Sequence, residues 1–238
     1  MKVILPGDSH AGPFRTEDHT SVLDAQLRQY ALEIGTLYRR SEQQRSELEA
    51  ATLAVVNAFI IALGAHDPYT RDHTSRVQHL ALATARLLDF DDGRLEDVRL
   101  GSVLHDIGKI SVSDSILRKP ARLSEQEYED IRRHPSVGWL MIESFPALQG
   151  ARNYVLYHHE RWDGSGYPHG LKGDAIPIEG RLLAVVDAYD AMTSDRSYRP
   201  GRPPAEAVQE LLRVSGTQLD PQVVQAFIAA LRRETPPG

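Results

Sequence analysis

An all-α fold is what this chain predicts, on three observations. Apolar residues recur at helical spacing over most of its 238 residues. Helix-starting signals stand where those runs begin, as at Ser124 with Glu127 three residues on. Alternating strand patterns are almost absent. Composition sets the outer limits: 41% hydrophobic and 25% charged residues describe a globular chain with room for one substantial domain and an appendage. The absence of cysteine excludes disulfides, zinc–thiolate sites and thiol nucleophiles, and agrees with a reducing compartment. A net charge of -6 and a pI near 5.9 speak against DNA or RNA polymers as partners, which need broad basic surfaces. Val3-Ile4-Leu5 is too short for a signal peptide and no stretch approaches the length of a membrane span, so the expectation is a soluble cytoplasmic protein with no membrane partner.

Residues 1–20 hold Pro6, Gly7, Gly12 and Pro13 with no apolar period, and are expected to form a loosely ordered leader. From Leu23 the pattern changes. Leu23, Leu27, Tyr30, Ile34 and Leu37 alternate spacings of four and three, and Ser41, Gln44, Leu48, Ala51, Val55, Ala58 and Ala62 continue the register. This is a heptad seam interrupted by two polar residues. Residues 21–53 are therefore expected to be a helical stalk, which either forms a homodimer or folds back on its own domain.

Pro68 breaks the helix, and another is expected from Asp72 to about Phe90, with His73 on the face that carries Val77, Leu80, Leu87 and Leu88. A helix over 95–104 delivers His105 and Asp106 at its end, with Lys109 a turn later. Ser124 starts the next, which should end at His134 because Pro135 disfavours helical geometry in the residue before it. Two more helices, over 137–144 and 147–159, lead to His158-His159. The glycine-rich loop 160–180 contains Trp162 and Tyr167, which argue for order within it. A further helix sets Asp187 on an apolar face beside Leu183 and Val186, where an unpaired carboxylate is costly. Arg196, Arg199 and Arg202 make a short basic run, and Asp220-Pro221 opens a last helix with Val223, Val224, Phe227, Ile228 and Leu231 on its apolar side.

His105 and Asp106 carry the chemistry. Neighbours on a helix project about 100° apart, so the two grip one object only at a helix end or corner. Imidazole nitrogen with carboxylate oxygen suits a divalent ion such as Fe, Mn, Ni, Co or Zn. Alone, such a pair is more often a hydrogen-bonded surface pair than a ligand set. The weight comes from His73, His134, the pair His158-His159 and Asp187, which fall in or beside four separate helical segments.

The runs His73-Thr74-Ser75-Arg76-Val77, Leu104-His105-Asp106-Ile107-Gly108-Lys109-Ile110, Arg133-His134-Pro135, His158-His159-Glu160-Arg161-Trp162-Asp163-Gly164-Ser165-Gly166-Tyr167-Pro168 and Val186-Asp187-Ala188-Tyr189-Asp190-Ala191-Met192-Thr193 together resemble the HD-GYP family, a bacterial branch of the HD phosphohydrolases. The likeness makes 54–238 an HD-type helical bundle carrying the HD-GYP domain. It implies cyclic di-GMP as partner and substrate, hydrolysed to pGpG and in some members onward to GMP. It also implies a metal cluster on His73, His105, Asp106, His134, His158, His159 and Asp187. Five histidines and two aspartates exceed what one ion accepts while keeping an open position, yet suit two ions, Fe or Mn first and Ni, Co or Zn next, sharing Asp106 as bridge around an attacking hydroxide. Lys109 is expected to aim an ammonium at the phosphate, Arg196 and Arg199 to offer guanidinium donors, and Gly166, Tyr167 and Pro168 to shape the substrate pocket. Glu160 and Asp163 are expected to fix histidine tautomers. Members with three metals carry a glutamate four residues before the first ligand histidine. Here that position is Tyr69, a neutral phenol, so two ions are expected. Two other readings remain open at this point: a catalytically weak cyclic-dinucleotide-binding module, and an HD phosphohydrolase acting on another nucleotide.

Overall fold

The computed structural model describes residues 16–66, 70–119, 121–195 and 200–234. Among these the secondary structure is helical apart from one isolated bridge between Ser215 and Leu219, in agreement with the all-α expectation. The chain divides into the units Met1–Ala51 and Thr52–Gly238. Helix α1 (Thr16–His66) begins inside the stretch expected to be a loose leader, because the helical pattern extends back past Leu23 through residues that contain no proline or glycine. Along it Leu23, Leu27, Tyr30, Ile34 and Leu37 are each more than half exposed.

Helix α2 (Thr70–Arg86) carries Asp72 in its first turn and Arg86 in its last, charges that suit the helix dipole, and it buries Val77, Ala81 and Ala85. It stops short of Phe90 because the chain tightens into a turn in which Asp89 takes a φ of 57°. The Asp91 carboxylate then accepts the Arg94 N–H at 2.9 Å and starts α3 (Asp92–Leu104) earlier than expected. A 3-10 turn, Ile107–Ser111, follows, then the single-turn α4 (Asp114–Leu117). The capping box expected at Ser124 is complete and opens α5 (Glu125–Arg132).

Pro135 acts differently from expectation. It sits in the first turn of α6 (His134–Ile142), where its missing N–H is not needed, so His134 opens a helix instead of closing one. The one helix expected over 147–159 is split into a 3-10 turn, Pro146–Ala151, and α7 (Arg152–Tyr157). Beyond the glycine loop come α8 (Ile178–Thr193), α9 (Pro204–Val214) and α10 (Pro221–Glu234). Asp220 accepts the Gln222 N–H at 2.7 Å to cap the last of these.

Helix α8 packs against α2, α7, α9 and α10, and its Leu182, Leu183, Val185 and Val186 are fully buried among Val77, Val98, Leu211, Val223 and Phe227. A smaller apolar cluster joins Val56, Leu104, Ile142, Leu148 and Val155. Helix α3 contributes to both clusters, Val98 to one and Leu104 to the other, which fixes the helix end from which His105 and Asp106 emerge.

Candidate metal centre

His105 is the C-cap of α3, His158 the C-cap of α7, and His134 the first residue of α6. All three are buried. In each, Nδ1 donates to a carbonyl three residues back: Ser102 at 2.8 Å, Ile131 at 2.7 Å and Val155 at 2.9 Å. Carbonyls near helix ends lack a ladder partner, so His105 and His158 cap the helices they end and His134 caps α5, the helix before its own, and each ring is aimed by that bond. A carbonyl only accepts, which puts the proton on Nδ1 and leaves a lone pair on Nε2. His73, in the first turns of α2, does the same with a side chain, its Nδ1 lying 2.8 Å from Asp190 Oδ2.

The four Nε2 atoms converge in pairs. Those of His73 and His105 are 3.3 Å apart, and those of His134 and His158 are 3.2 Å apart. Two lone pairs facing each other at this distance repel unless a cation lies between them. Metal–nitrogen bonds of about 2.0–2.1 Å at tetrahedral angles separate two imidazole nitrogens by about 3.3 Å, so the spacing fits a shared ion. His159 completes a group with His134 and His158, and Asp187 completes one with His73 and His105.

Asp106 stands between the groups. Its Oδ1 is 3.3 Å from His134 Nε2 and 3.9 Å from His158 Nε2. Its Oδ2 is 3.5 Å from His105 Nε2, 4.0 Å from His73 Nε2 and 2.6 Å from Lys109 Nζ. Burial would raise the Asp106 carboxyl, but Lys109, His105 and His134 outweigh it and hold the group well below the carboxylate range. Burial holds His105 below the ordinary imidazole value against the pull of Asp106, and it lowers His158 and His159 further with help from neighbouring histidines. These three therefore favour the neutral form that binds metals. In His73 burial is overcome by the Asp190 hydrogen bond and the Asp187 and Asp106 charges, so its value rises.

The other expected residues divide. Lys109 bonds to Asp106 and is a quarter exposed, at the rim of the centre. Tyr167 stacks on His159 with ring centroids 4.8 Å apart, and its peptide to Pro168 is cis. Gly166 does permit a close backbone approach, but to the chain itself: an added Cβ would lie 2.3 Å from Arg161 N and 2.6 Å from Glu160 Cα. Glu160 and Asp163 do not fix histidine tautomers. The buried Glu160 carboxylate accepts the N–H groups of His169 and Leu171, and Asp163 accepts from Ser165, so both shape the glycine loop. The tautomers of His105, His134 and His158 are set by carbonyls three residues back, and that of His73 by the Asp190 carboxylate. Tyr69, Arg196 and Arg199 lie outside the described residues.

Three residues had no role in the sequence reading. Asp190 is 1% exposed and is gripped by Arg76 through Nε at 2.5 Å and Nη2 at 3.0 Å, which with His73 holds its carboxyl at about 2 despite burial. Its spacing of three from Asp187 was the available signal. Arg132, at the end of α5, lies with its guanidinium 5.0 Å from the Tyr167 ring centroid and 5.8 Å from that of Tyr128.

Helices joined around buried imidazoles and a shared carboxylate define a metal-centre domain of the HD type, and the HD domain family model matches residues 56–223. The chain belongs to that family and to its HD-GYP branch. It is 37% identical over 194 residues to a cyclic di-GMP phosphodiesterase of Thermotoga maritima, covering 81% of this chain and 53% of the relative. To a cyclic di-GMP phosphodiesterase of Pseudomonas aeruginosa it is 40% identical over 188 residues, covering 78% and 45%. The chain thus spans about half the length of these curated relatives. An HDG"Y"P protein from Bdellovibrio bacteriovorus shares the fold with a TM-score of 0.56 at 23% identity, over 68% of this chain and 52% of that one. Among the described residues no helix is long and apolar enough to cross a membrane.

Proposed function

We propose that this chain is a metal-dependent phosphodiesterase that opens cyclic di-GMP to the linear dinucleotide pGpG, using two divalent ions, iron or manganese, with Asp106 as the ligand that would serve both. The observation that carries this is one buried carboxylate, Asp106, with one oxygen toward His134 and His158 and the other toward His105 and His73. His134, His158 and His159 would hold one ion, and His73, His105 and Asp187 the other. Bound divalent ions supply a water acidified to near neutral pH and positive charge for the phosphodiester oxygens. The chain's own part is preorganisation: tautomers locked by Ser102, Ile131 and Val155 keep His105, His134 and His158 aimed before substrate arrives. Lys109 at the rim balances Asp106 and presents a cation toward the approaching phosphate. Tyr167, stacked on His159, is assigned to the wall of the substrate pocket, with Gly166 and Pro168 shaping the turn that carries it. Arg196 and Arg199 are assigned to phosphate or guanine on the family resemblance.

The reading extends to a homodimer through α1, supported by an apolar seam whose members from Leu23 to Leu37 stand more than half exposed. The deciding experiment is turnover by purified manganese-loaded or iron-loaded protein of cyclic di-GMP, cyclic di-AMP and the mixed cyclic GMP-AMP. Release of pGpG from cyclic di-GMP at the highest kcat/KM is expected. Binding without turnover of any of the three would return the chain to the class of nucleotide-sensing modules.

A further inference from the structure

Of the four imidazoles whose Nε2 atoms converge in pairs, three owe their aim to carbonyls of their own chain segment. His73 alone owes it to a side chain from another helix. We propose that Asp190, clamped by Arg76, is the positioning residue of the ion position formed by His73, His105 and Asp187, and that losing it weakens that position selectively. The position formed by His134, His158 and His159 should still fill. This rests on the two-ion reading above.

The clamp is a fork. Arg76 Nε donates to Oδ1 of Asp190 at 2.5 Å and Nη2 to Oδ2 at 3.0 Å, while Nη2 also donates to Ser194 Oγ at 2.8 Å. One guanidinium thus holds α8 at two residues four apart, and the planar geometry prevents the Asp190 carboxylate from rotating. With rotation blocked, Oδ2 has one direction left for the His73 Nδ1–H, and His73 Nε2 is aimed 3.5 Å from Asp187 Oδ1 and 3.3 Å from His105 Nε2. Asp187 and Asp190 lie one helical turn apart on α8, so that helix supplies this position both with a direct donor and with the group that orients another. His134 and His158 take their orienting partners from Ile131 and Val155, outside α8. The two positions therefore depend on different parts of the chain. Carboxylates hydrogen-bonded to a ligating imidazole fix its ring and strengthen it as a donor, and removing one weakens metal binding by about 10–100-fold.

The test is manganese titration of metal-free full chain without nucleotide, read by calorimetry and by metal analysis after desalting. Wild type is expected to take up two ions. Asp190→Ala should keep one at wild-type affinity and bind the other about 10–100-fold more weakly, with an unchanged far-ultraviolet circular dichroism spectrum. Asp190→Asn preserves volume and one accepting oxygen, and stands in if the alanine variant does not fold. Arg76→Met leaves the carboxylate charged but unclamped and should weaken the same ion by less. Imidazole nitrogen NMR of the metal-free variant should show one histidine losing its fixed tautomer while the others keep theirs. Two ions at wild-type affinity in a folded Asp190→Ala protein would overturn the inference, as would loss of both together. If wild type takes up a single ion, the two-ion reading fails, and a His73 that keeps its fixed tautomer in metal-free Asp190→Ala overturns this inference separately.

Discussion

The metal centre and helix α1 each reverse the usual distribution of residues, in opposite senses. Around Asp106 the chain buries five polar groups, His73, His105, Asp106, His134 and His158, each at most 5% exposed, whereas along α1 it leaves Leu23, Leu27, Ile34 and Leu37 more than half in solvent. Scattered exposed leucines need no explanation, but a buried polar cluster and a continuous exposed apolar stripe do. Each arrangement is costly as it stands and becomes favourable with a complement of its own kind: positive charge for converging lone pairs, a second apolar surface for the seam. The contrast teaches that function in this chain is written where burial and polarity disagree.

Removing the complement's anchor should have the largest effect. Asp106→Ala is expected to lose both ions and all turnover while staying helical, because the one carboxylate facing both donor groups is gone. Metal analysis beside a cyclic di-GMP assay checks this, and full metal content with full activity would reject the bridge. The exposed half of the comparison breaks differently. Leu27→Glu combined with Ile34→Glu sets charges into the seam and should convert a dimer to a monomer in sedimentation equilibrium, with the metal content of the Thr52–Gly238 unit unchanged. A wild-type chain that already sediments as a monomer would make the seam a surface with another use.

A third experiment sharpens the buried half. Lys109→Ala should retain both ions but slow hydrolysis at least tenfold, about 1.4 kcal/mol in the barrier, because it removes a cation and no metal donor. Loss of the ions in that variant would make Lys109 structural support for Asp106. Next in size is the effect of pH on the metal-free protein. His105, His158 and His159 titrate below the ordinary imidazole value in the folded state, so on acidification the unfolded chain takes up protons first and stability falls below about pH 6.5. His73 is raised and acts oppositely, one group against three. The melting temperature should therefore drop between pH 7.5 and 5.5, and a flat profile would contradict the direction given for the three. The smallest effect lies outside both regions: Ser124→Ala, which removes the capping box of α5, should cost about 1 kcal/mol in denaturant unfolding and leave metal content unchanged.

The sequence was most legible where chemistry is local and residue types are rare. Histidine and aspartate at helix ends stand out in an apolar run, and every described member of the expected ligand set does converge on the centre. Helix boundaries were less legible because Pro135 ends one helix and begins another with the same geometry, and α6 shows that the second role governs His134. Glu160 and Gly166 lie in the right motif but serve the loop's own backbone, which depends on approaches no spacing rule reports. Least legible was the Arg76–Asp190 fork, whose partners are 114 residues apart and meet only when α2 docks on α8.

Gly108 lies against the start of α6, where an added Cβ would come 1.9 Å from the His134 carbonyl oxygen and 2.6 Å from Gly138 N. Gly138 in turn leaves 3.2 Å between its own would-be Cβ and Gly108 N. Two backbones thus touch where most protein surfaces meet through side chains, and the segment bearing Asp106 is brought against the segment bearing His134 with no adjustable material between them. The reach of a carboxylate oxygen to an imidazole nitrogen, 3.3 Å, is consequently a property of main-chain thickness. A single methyl group at position 108 would act as a shim, changing the gauge of the whole centre without altering any of its ligands.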